Sequence, residues 1–165
     1  MIRKTPLVED LDDPMAFPQL MADIASDKDY GKDEIEKAHN EVLETWPHEY
    51  AGSFIHIEHP EYTALCPRSG YPDFGNIVLD YVPDGKVCEL KAWKLYINSF
   101  RDERISHENV INVIADKFVK DVNPSALRII GDFTRRGGIK TVVTTYRGTN
   151  QHYTKYFPKH QNHIL

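Results

Sequence analysis

The chain has 165 residues with 25 acidic and 20 basic side chains, a formal charge of −5, and 41% hydrophobic residues. These values are typical of one soluble globular domain, and the negative charge argues against a broad nucleic-acid-binding surface. No apolar run approaches the roughly 20 residues that span a bilayer, and the first residues lack the apolar segment of a secretory signal. We therefore predict a cytoplasmic protein without a membrane partner, whose cysteines Cys66 and Cys88 stay reduced.

The first part of the sequence predicts an irregular arm, one helix and one strand. Residues 1–32 are rich in Asp, Pro and Lys and show no sustained hydrophobic period. Apolar residues at helical spacing then predict a helix that begins at Asp33 and ends at Pro47. A short strand is predicted over 53–58. An irregular loop is predicted over 62–73, because that segment contains two prolines and a glycine.

The rest of the sequence predicts two hairpins separated by a long helix. Residues 74–82 and 87–100 read as strands joined by a Pro-Asp-Gly turn. Ser106 is a favourable N-cap for a helix whose apolar stripe ends before an Asn-Pro pair. Strands over 127–133 and 141–146 complete the pattern, and no structure is predicted for the tail.

This order of elements predicts an α+β fold, in which an antiparallel sheet is covered by helix on one face. A small sheet of this kind has edge strands that can pair with other chains. We therefore expect a homo-oligomer.

Cys66 and Asp73 are the first candidates for chemistry. Cys66 lies in the predicted loop, two residues before Arg68, and a nearby cation lowers the pKa of a thiol. A bend in the loop can bring the Asp73 carboxyl back toward the thiol, and such a pair suits nucleophilic addition with protonation. Taken one at a time, the commoner roles are a buried structural cysteine and an aspartate that caps a turn.

Two further groups admit structural and functional interpretations. Glu89, Lys91 and Trp93 are predicted on one face of a strand, where an acid and a base commonly form a cross-strand ion pair. His107 and Glu108 begin the long helix. A carboxylate there either favours the helix dipole or accepts hydrogen bonds from a ligand.

The hairpin turn at 135–138 contains two arginines followed by two glycines. The glycines suit a tight turn, and the arginines are suited to holding a phosphate, although the segment is not a dinucleotide-binding fingerprint. The cysteines and histidines lack the spacing of a zinc site, so we predict no metal.

Together and in this order, these segments resemble one enzyme family. The segments are LCPRSGYPDF at 65–74, ELKAWKLY at 89–96, NSFR at 98–101, His107-Glu108, and FTRRGG at 133–138. The second segment matches the family's signature: Glu, Ser or Leu, Lys, Ser or Ala, a hydrophobic residue, Lys, Leu or Tyr, and an aromatic residue. The family is the NADPH-dependent 7-cyano-7-deazaguanine reductases of queuosine biosynthesis, and the resemblance runs from about residue 50 to residue 147.

The resemblance implies a tunnelling fold, an antiparallel sheet with helices on one face, assembled as a decamer of two stacked pentamers with sites between subunits. It implies reduction of the nitrile of 7-cyano-7-deazaguanine to an aminomethyl group by NADPH, through a covalent cysteine thioimide. The reductase domain would span 46–150, preceded by an arm and helix over 1–45 and followed by a tail over 151–165.

The resemblance also implies roles for individual residues. Cys66 matches the nucleophile and Asp73 the proton donor. The residues implied to hold the deazaguanine are Cys88, Glu89, Leu90, His107 and Glu108. The residues implied to contact NADPH are Lys91, Lys94 and Arg136.

Two other functions stay open at this point. One is a pterin-type enzyme of the same fold, against which the missing zinc ligands and the presence of Cys66 with Asp73 count. The other is a non-catalytic oligomer that binds a purine-like ligand, which would not oxidise NADPH in the presence of the nitrile.

Overall fold

The computed structural model describes residues 35–148 and residue 157. The expectations for the arm over 1–32 and for most of the tail lie outside the described residues. Helix α1 includes residues 35–40, and strand β1 spans Thr45–Pro47. None of the helices in the described part of the chain is long and apolar enough to cross a membrane.

The helix predicted over 33–47 is wrong in its second half. The chain leaves the helical conformation after residue 40, and β1 pairs antiparallel with β4, Lys86–Cys88. The backbone N–H of Leu43 donates to the buried Asp121 carboxylate at 3.0 Å. A tertiary hydrogen bond therefore holds the segment that would otherwise continue the helix.

A four-stranded antiparallel sheet with the order β2-β3-β5-β6 forms the centre of the structure. Its strands are β2 (Ile55–Leu65), β3 (Pro72–Val82), β5 (Ala126–Arg136) and β6 (Ile139–Arg147). The irregular loop predicted over 62–73 is mostly wrong, because Tyr62 and Ala64 are buried on β2 and pair with Gly75 and Asp73 of β3. The loop is reduced to the turn between β2 and β3.

The strand predicted over 87–100 is also wrong, as is the hairpin it was expected to form with 74–82. After the short β4, residues Leu90–Asn98 form helix α2, followed by a 3-10 turn at Ser99–Asp102. Trp93, Tyr96 and Ile97 are buried at helical spacing, which explains the helix. Strand β3 pairs with β2 and β5 instead.

The long helix α3 spans His107–Val122, close to the predicted bounds. The Ser106 hydroxyl accepts from the backbone N–H of Asn109 at 3.3 Å, and Asn123 ends the helix at a φ of 52°. Helix α3 packs on β5 and β6, and its apolar stripe forms the core with one face of the sheet. The structure is thus an antiparallel sheet with helices on one face, as the sequence predicted.

Candidate active site

Cys66 occupies a tight turn between β2 and β3. Its backbone N–H donates to the carbonyl of Tyr71 at 2.8 Å, and its carbonyl accepts from the N–H of Gly70 at 2.9 Å. Pro67 limits the backbone directly after the cysteine, and Gly70 adopts a φ of 72° that favours glycine. The turn therefore fixes the cysteine at the end of a hairpin while leaving its side chain partly exposed.

The surroundings of the Cys66 sulfur stabilise a thiolate. The Ser69 hydroxyl and the backbone N–H groups of Ser69 and Arg68 donate toward the sulfur, as does the Arg136 guanidinium. These donors lower the pKa of the Cys66 thiol to about 6. Near neutral pH the side chain is mostly ionised and is a nucleophile.

Asp73 lies at the start of β3 and is 3% exposed. The Arg136 Nη1 lies 2.7 Å from its Oδ1, and His107 Nε2 lies 3.5 Å from its Oδ2. Among the described residues, neither Asp73 Oδ1 nor His107 Nε2 has a hydrogen-bond partner with good geometry. The contact between Arg136 and Asp73 is therefore an ion pair without a well-directed hydrogen bond. Buried polar atoms of this kind are suited to receiving a ligand.

The His107 ring is held by an aromatic stack. It lies parallel to the Phe133 ring, with a centroid distance of 3.8 Å and an interplanar angle of 6°. Phe133 is fully buried on β5, and its neighbour across the sheet is Gly75, which leaves room for the ring. The sheet therefore sets the direction of the imidazole relative to Asp73.

Glu89 begins α2 as its N-cap. Its carboxylate accepts from the backbone N–H of Ala92 at 2.7 Å, and the N–H of Lys91 contributes most to lowering its pKa. Cys88 is buried, and burial raises the pKa of its thiol to about 12. Leu90 is 62% exposed.

The site residues expected from the sequence fall into two groups within the described chain. Cys66, Asp73, His107 and Arg136 meet where the β2–β3 turn, α3 and the end of β5 converge. Glu89 and Lys91 instead line a cleft of about 320 Å³ with residues 37–38 and 41–44, while Lys94 and Glu108 are exposed on α2 and α3.

Two residues of the site were missed by reasoning from the sequence. Ser69 is a donor to the thiol, and its position three residues after Cys66 in a Pro- and Gly-containing turn was the available signal. Phe133 was assigned to a strand and to the segment at 133–138 without a role of its own, and nothing in its spacing indicates a stack with His107. No cluster of three or more His, Cys, Asp or Glu side chains suited to a metal ion occurs in the described part of the chain.

The comparisons with known proteins agree with this class of fold and indicate the family. The family described as QueF-like protein matches residues 72–152. The NADPH-dependent 7-cyano-7-deazaguanine reductase of Sulfurovum sp. is 49% identical over 116 residues, which cover 69% of this chain and 93% of that protein. The enzyme of the same name from Microcystis aeruginosa is 52% identical over 116 residues, which cover 69% and 86%.

The crystal structure of the archaeosine synthase QueF-Like in the apo form matches with a TM-score of 0.57 and 22% identity, covering 60% of this chain and 97% of that one. This likeness shows the fold, which is the tunnelling type that the resemblance implied. The identities to the curated relatives go further. The chain belongs to the family of NADPH-dependent 7-cyano-7-deazaguanine reductases, and the family expected from the sequence is confirmed.

Proposed function

We propose that this chain reduces the nitrile of 7-cyano-7-deazaguanine to an aminomethyl group with NADPH, through a thioimide on Cys66. The observation that carries the proposal is a partly exposed thiol with a pKa of about 6, joined through one guanidinium to a buried carboxylate. Family membership supplies the substrate and the cofactor. A nitrile carbon is a poor hydride acceptor, and addition of a thiolate converts it into a more reactive C=N group.

The first step uses only residues of this chain. The Cys66 sulfur forms a bond to the nitrile carbon, one C–N π bond breaks, and its electron pair goes to nitrogen. Asp73, acting as a carboxylic acid, delivers its proton to that nitrogen and becomes a carboxylate. One C–N π bond and one O–H bond break, one C–S bond and one N–H bond form, and the negative charge passes from the thiolate to Asp73, so atoms and charge balance.

His107 is placed to assist the proton transfers. Its Nε2 lies 3.5 Å from the Asp73 carboxylate, and its ring is fixed against Phe133. We propose that His107 passes a proton to Asp73 after Asp73 has protonated the substrate nitrogen. The carboxylates of Glu89 and Glu108 are proposed to accept hydrogen bonds from the N–H groups of the deazaguanine.

The residues proposed to hold NADPH suit its phosphates. Lys91 and Lys94 are exposed and three residues apart on α2, so they lie on one side of the helix. Ammonium groups at that spacing are suitable donors for phosphate oxygens. When bound, NADPH supplies the hydride, and two molecules are consumed for each nitrile.

Mass spectrometry with and without NADPH tests this function. The wild-type protein mixed with the nitrile alone should gain the mass of one ligand on Cys66, and it should oxidise NADPH when both are present. Cys66→Ala should do neither. Cys88→Ser is the comparison variant and should keep substantial activity even if substrate binding weakens, because no chemical step is assigned to that thiol and burial raises its pKa. A Cys66→Ala variant that still turns over would refute the mechanism.

Asp73→Asn tests the proton donor separately from binding. The amide keeps the shape but cannot supply a carboxylic proton. We expect nearly normal nitrile binding by calorimetry and slow or absent formation of the thioimide absorbance. The assignment is wrong if the variant loses binding but forms the adduct at the wild-type rate.

We also infer a homo-oligomer, with ten chains as the family resemblance implies. In the described part of the chain β2 and β6 are the outer strands of the sheet, and β6 exposes Ile139, Val142 and Tyr146. Open strand edges with apolar side chains are suited to pairing between subunits. Light scattering should report a species well above a dimer at micromolar concentration, and a fully active monomer would contradict the inference.

A further inference from the structure

The Phe133 ring is confined on the face of the sheet that packs against the helices. Phe133 is fully buried on β5 and lies opposite Gly75 of β3. A Cβ at Gly75 would lie 3.1 Å from Phe133 Cδ1, and a Cβ at Gly131 would lie 2.7 Å from Phe133 Cε2. The Tyr62 ring of β2 meets the Phe133 ring edge to face, with a centroid distance of 5.9 Å. The ring therefore fills space that two glycines leave open, and close packing restricts its orientation.

The stack on Phe133 joins helix α3 to the sheet. His107 is the first residue of α3, whereas Phe133 and Asp73 belong to sheet strands. The ring centroids of His107 and Phe133 are 3.8 Å apart. Aromatic pairs usually keep their centroids about 4.5–7 Å apart, so the packing of helix on sheet imposes this closer contact. His107 Nε2 is buried and lies 3.5 Å from Asp73 Oδ2, which shows that the stacked ring directs this nitrogen toward the carboxylate.

From this geometry we propose that Phe133 is a positioning residue, which holds the His107 imidazole where it can return a proton to Asp73 within each turnover. The inference rests on the proposed function, because it concerns the same site. In the transfer an imidazolium N–H bond breaks and an Asp73 O–H bond forms, so the positive and the negative charge both disappear. The imidazole then takes up a proton from the solvent, which it can reach because the His107 side chain is 16% exposed.

The proposed reaction needs this return of a proton. Reduction of a nitrile to an amine adds two hydrides and two protons, so the first proton on Asp73 does not suffice for a complete turnover. Formation of the thioimide with nitrile alone uses only that first proton. A catalytic group displaced by about 1 Å can lower a rate by about a hundredfold. Loss of the stack should therefore slow turnover much more than it slows formation of the first adduct.

Phe133→Leu tests this difference, since leucine occupies the buried position without offering a flat ring face. Thioimide formation with nitrile alone should stay close to that of the wild type. Steady-state NADPH oxidation at saturating nitrile and NADPH should fall by about ten- to a hundredfold. Phe118→Leu is the matched control, because it removes another fully buried ring, which packs edge to face on Tyr81 and Trp93. It should keep a turnover near the wild-type rate, and thermal unfolding compares the stability of the two variants.

A double variant shows whether Phe133 acts through the imidazole. His107→Gln should turn over slowly, because solvent can still protonate Asp73. If the role of Phe133 is to hold His107, adding Phe133→Leu to His107→Gln should cause no further loss of turnover. Losses that multiply in the double variant would overturn the proposal, because they would show that Phe133 supports the site by another route.

Chemical modification of His107 provides a measurement that needs no turnover. The rate of its reaction with diethyl pyrocarbonate, in the absence of nitrile and NADPH, is followed by mass spectrometry. Modification should be several-fold faster in Phe133→Leu than in the wild type, in which Nε2 is buried, and Phe118→Leu should match the wild type. Equal rates in the wild type and Phe133→Leu would overturn the proposal. If the rates differ as expected but the wild type forms no thioimide, the proposed function fails while the hold of Phe133 on His107 stands.

Discussion

Replacing Glu89 by alanine should reduce both ligand binding and the stability of the unliganded protein. The structure gives Glu89 a role that the strand interpretation did not include, because it is the N-cap of α2 and accepts from Ala92 at 2.7 Å. A residue that only contacts substrate would not affect the free energy of unfolding of the free protein. The two effects can therefore be measured separately.

The size of the stability effect follows from the capping contact. Loss of an N-cap side chain costs about 0.5–2 kcal/mol, and about 1 kcal/mol is the central value. For a chain of this size, about 1 kcal/mol lowers Tm by about 2–4 °C. Loss of a carboxylate that accepts from a buried ligand costs about 1–3 kcal/mol, so nitrile binding should weaken by at least roughly tenfold.

Glu89→Ser is the matched variant, since serine can cap the helix but cannot replace the carboxylate in ligand binding. Its Tm should stay near the wild-type value while its nitrile affinity falls as far as that of Glu89→Ala. Calorimetric titration and thermal unfolding of all three proteins give both quantities.

The Tm difference between wild type and Glu89→Ala should also depend on pH. The pKa of Glu89 is lowered from 4.5 in the folded protein, mainly by the N–H of Lys91, so the capping contribution is complete above about that value. It is lost as the pH falls through the lower folded-state pKa, where the Tm difference should shrink. Equal Tm values for the wild type and Glu89→Ala at pH 7 would refute the capping argument.

Two further predictions concern the sheet. A Cβ at Gly131 would lie 2.5 Å from Ile111 Cδ1, so Gly131→Ala should overpack the interface between the sheet and α3. The free energy of unfolding in urea should fall by about 1–3 kcal/mol. An unchanged urea midpoint would show that α3 can shift to make room. Arg128 Nε donates to the fully buried Asp80 at 2.8 Å, so Arg128→Met leaves a buried carboxylate whose remaining hydrogen-bond partner among the described residues is His56. Arg128→Met should lower the free energy of unfolding by about 3 kcal/mol, and the double variant with Asp80→Leu should recover most of that loss. A double variant less stable than Arg128→Met would contradict the argument from the unpaired carboxylate.

The sequence determined the elements whose signals are local. The apolar stripe after Ser106 and its capping side chain predicted α3, and the paired glycines predicted the turn between β5 and β6. The motifs around Cys66, Glu89 and Arg136 were sufficient to indicate the family. These features depend on residues close together in the chain, where spacing alone carries the information.

Only the tertiary structure decided the elements that depend on distant partners. Residues 87–100 contain aromatic and β-branched side chains that suit a strand, and burial of Trp93 and Tyr96 on one side makes most of the segment a helix. The second half of the helix predicted over 33–47 gave way to pairing with β4 and to the hydrogen bond of Leu43 with Asp121. Local propensity is weak compared with such long-range contacts.

The same reason limits what the sequence shows of the site. Cys66, Asp73 and Arg136 are up to 70 residues apart in the numbering, yet one guanidinium contacts the other two side chains. The sequence identified all three as candidates but gave no reason to group Arg136 with the thiol. The pairing of β3 with both β2 and β5 brings them together, and strand pairing is a property of the folded sheet.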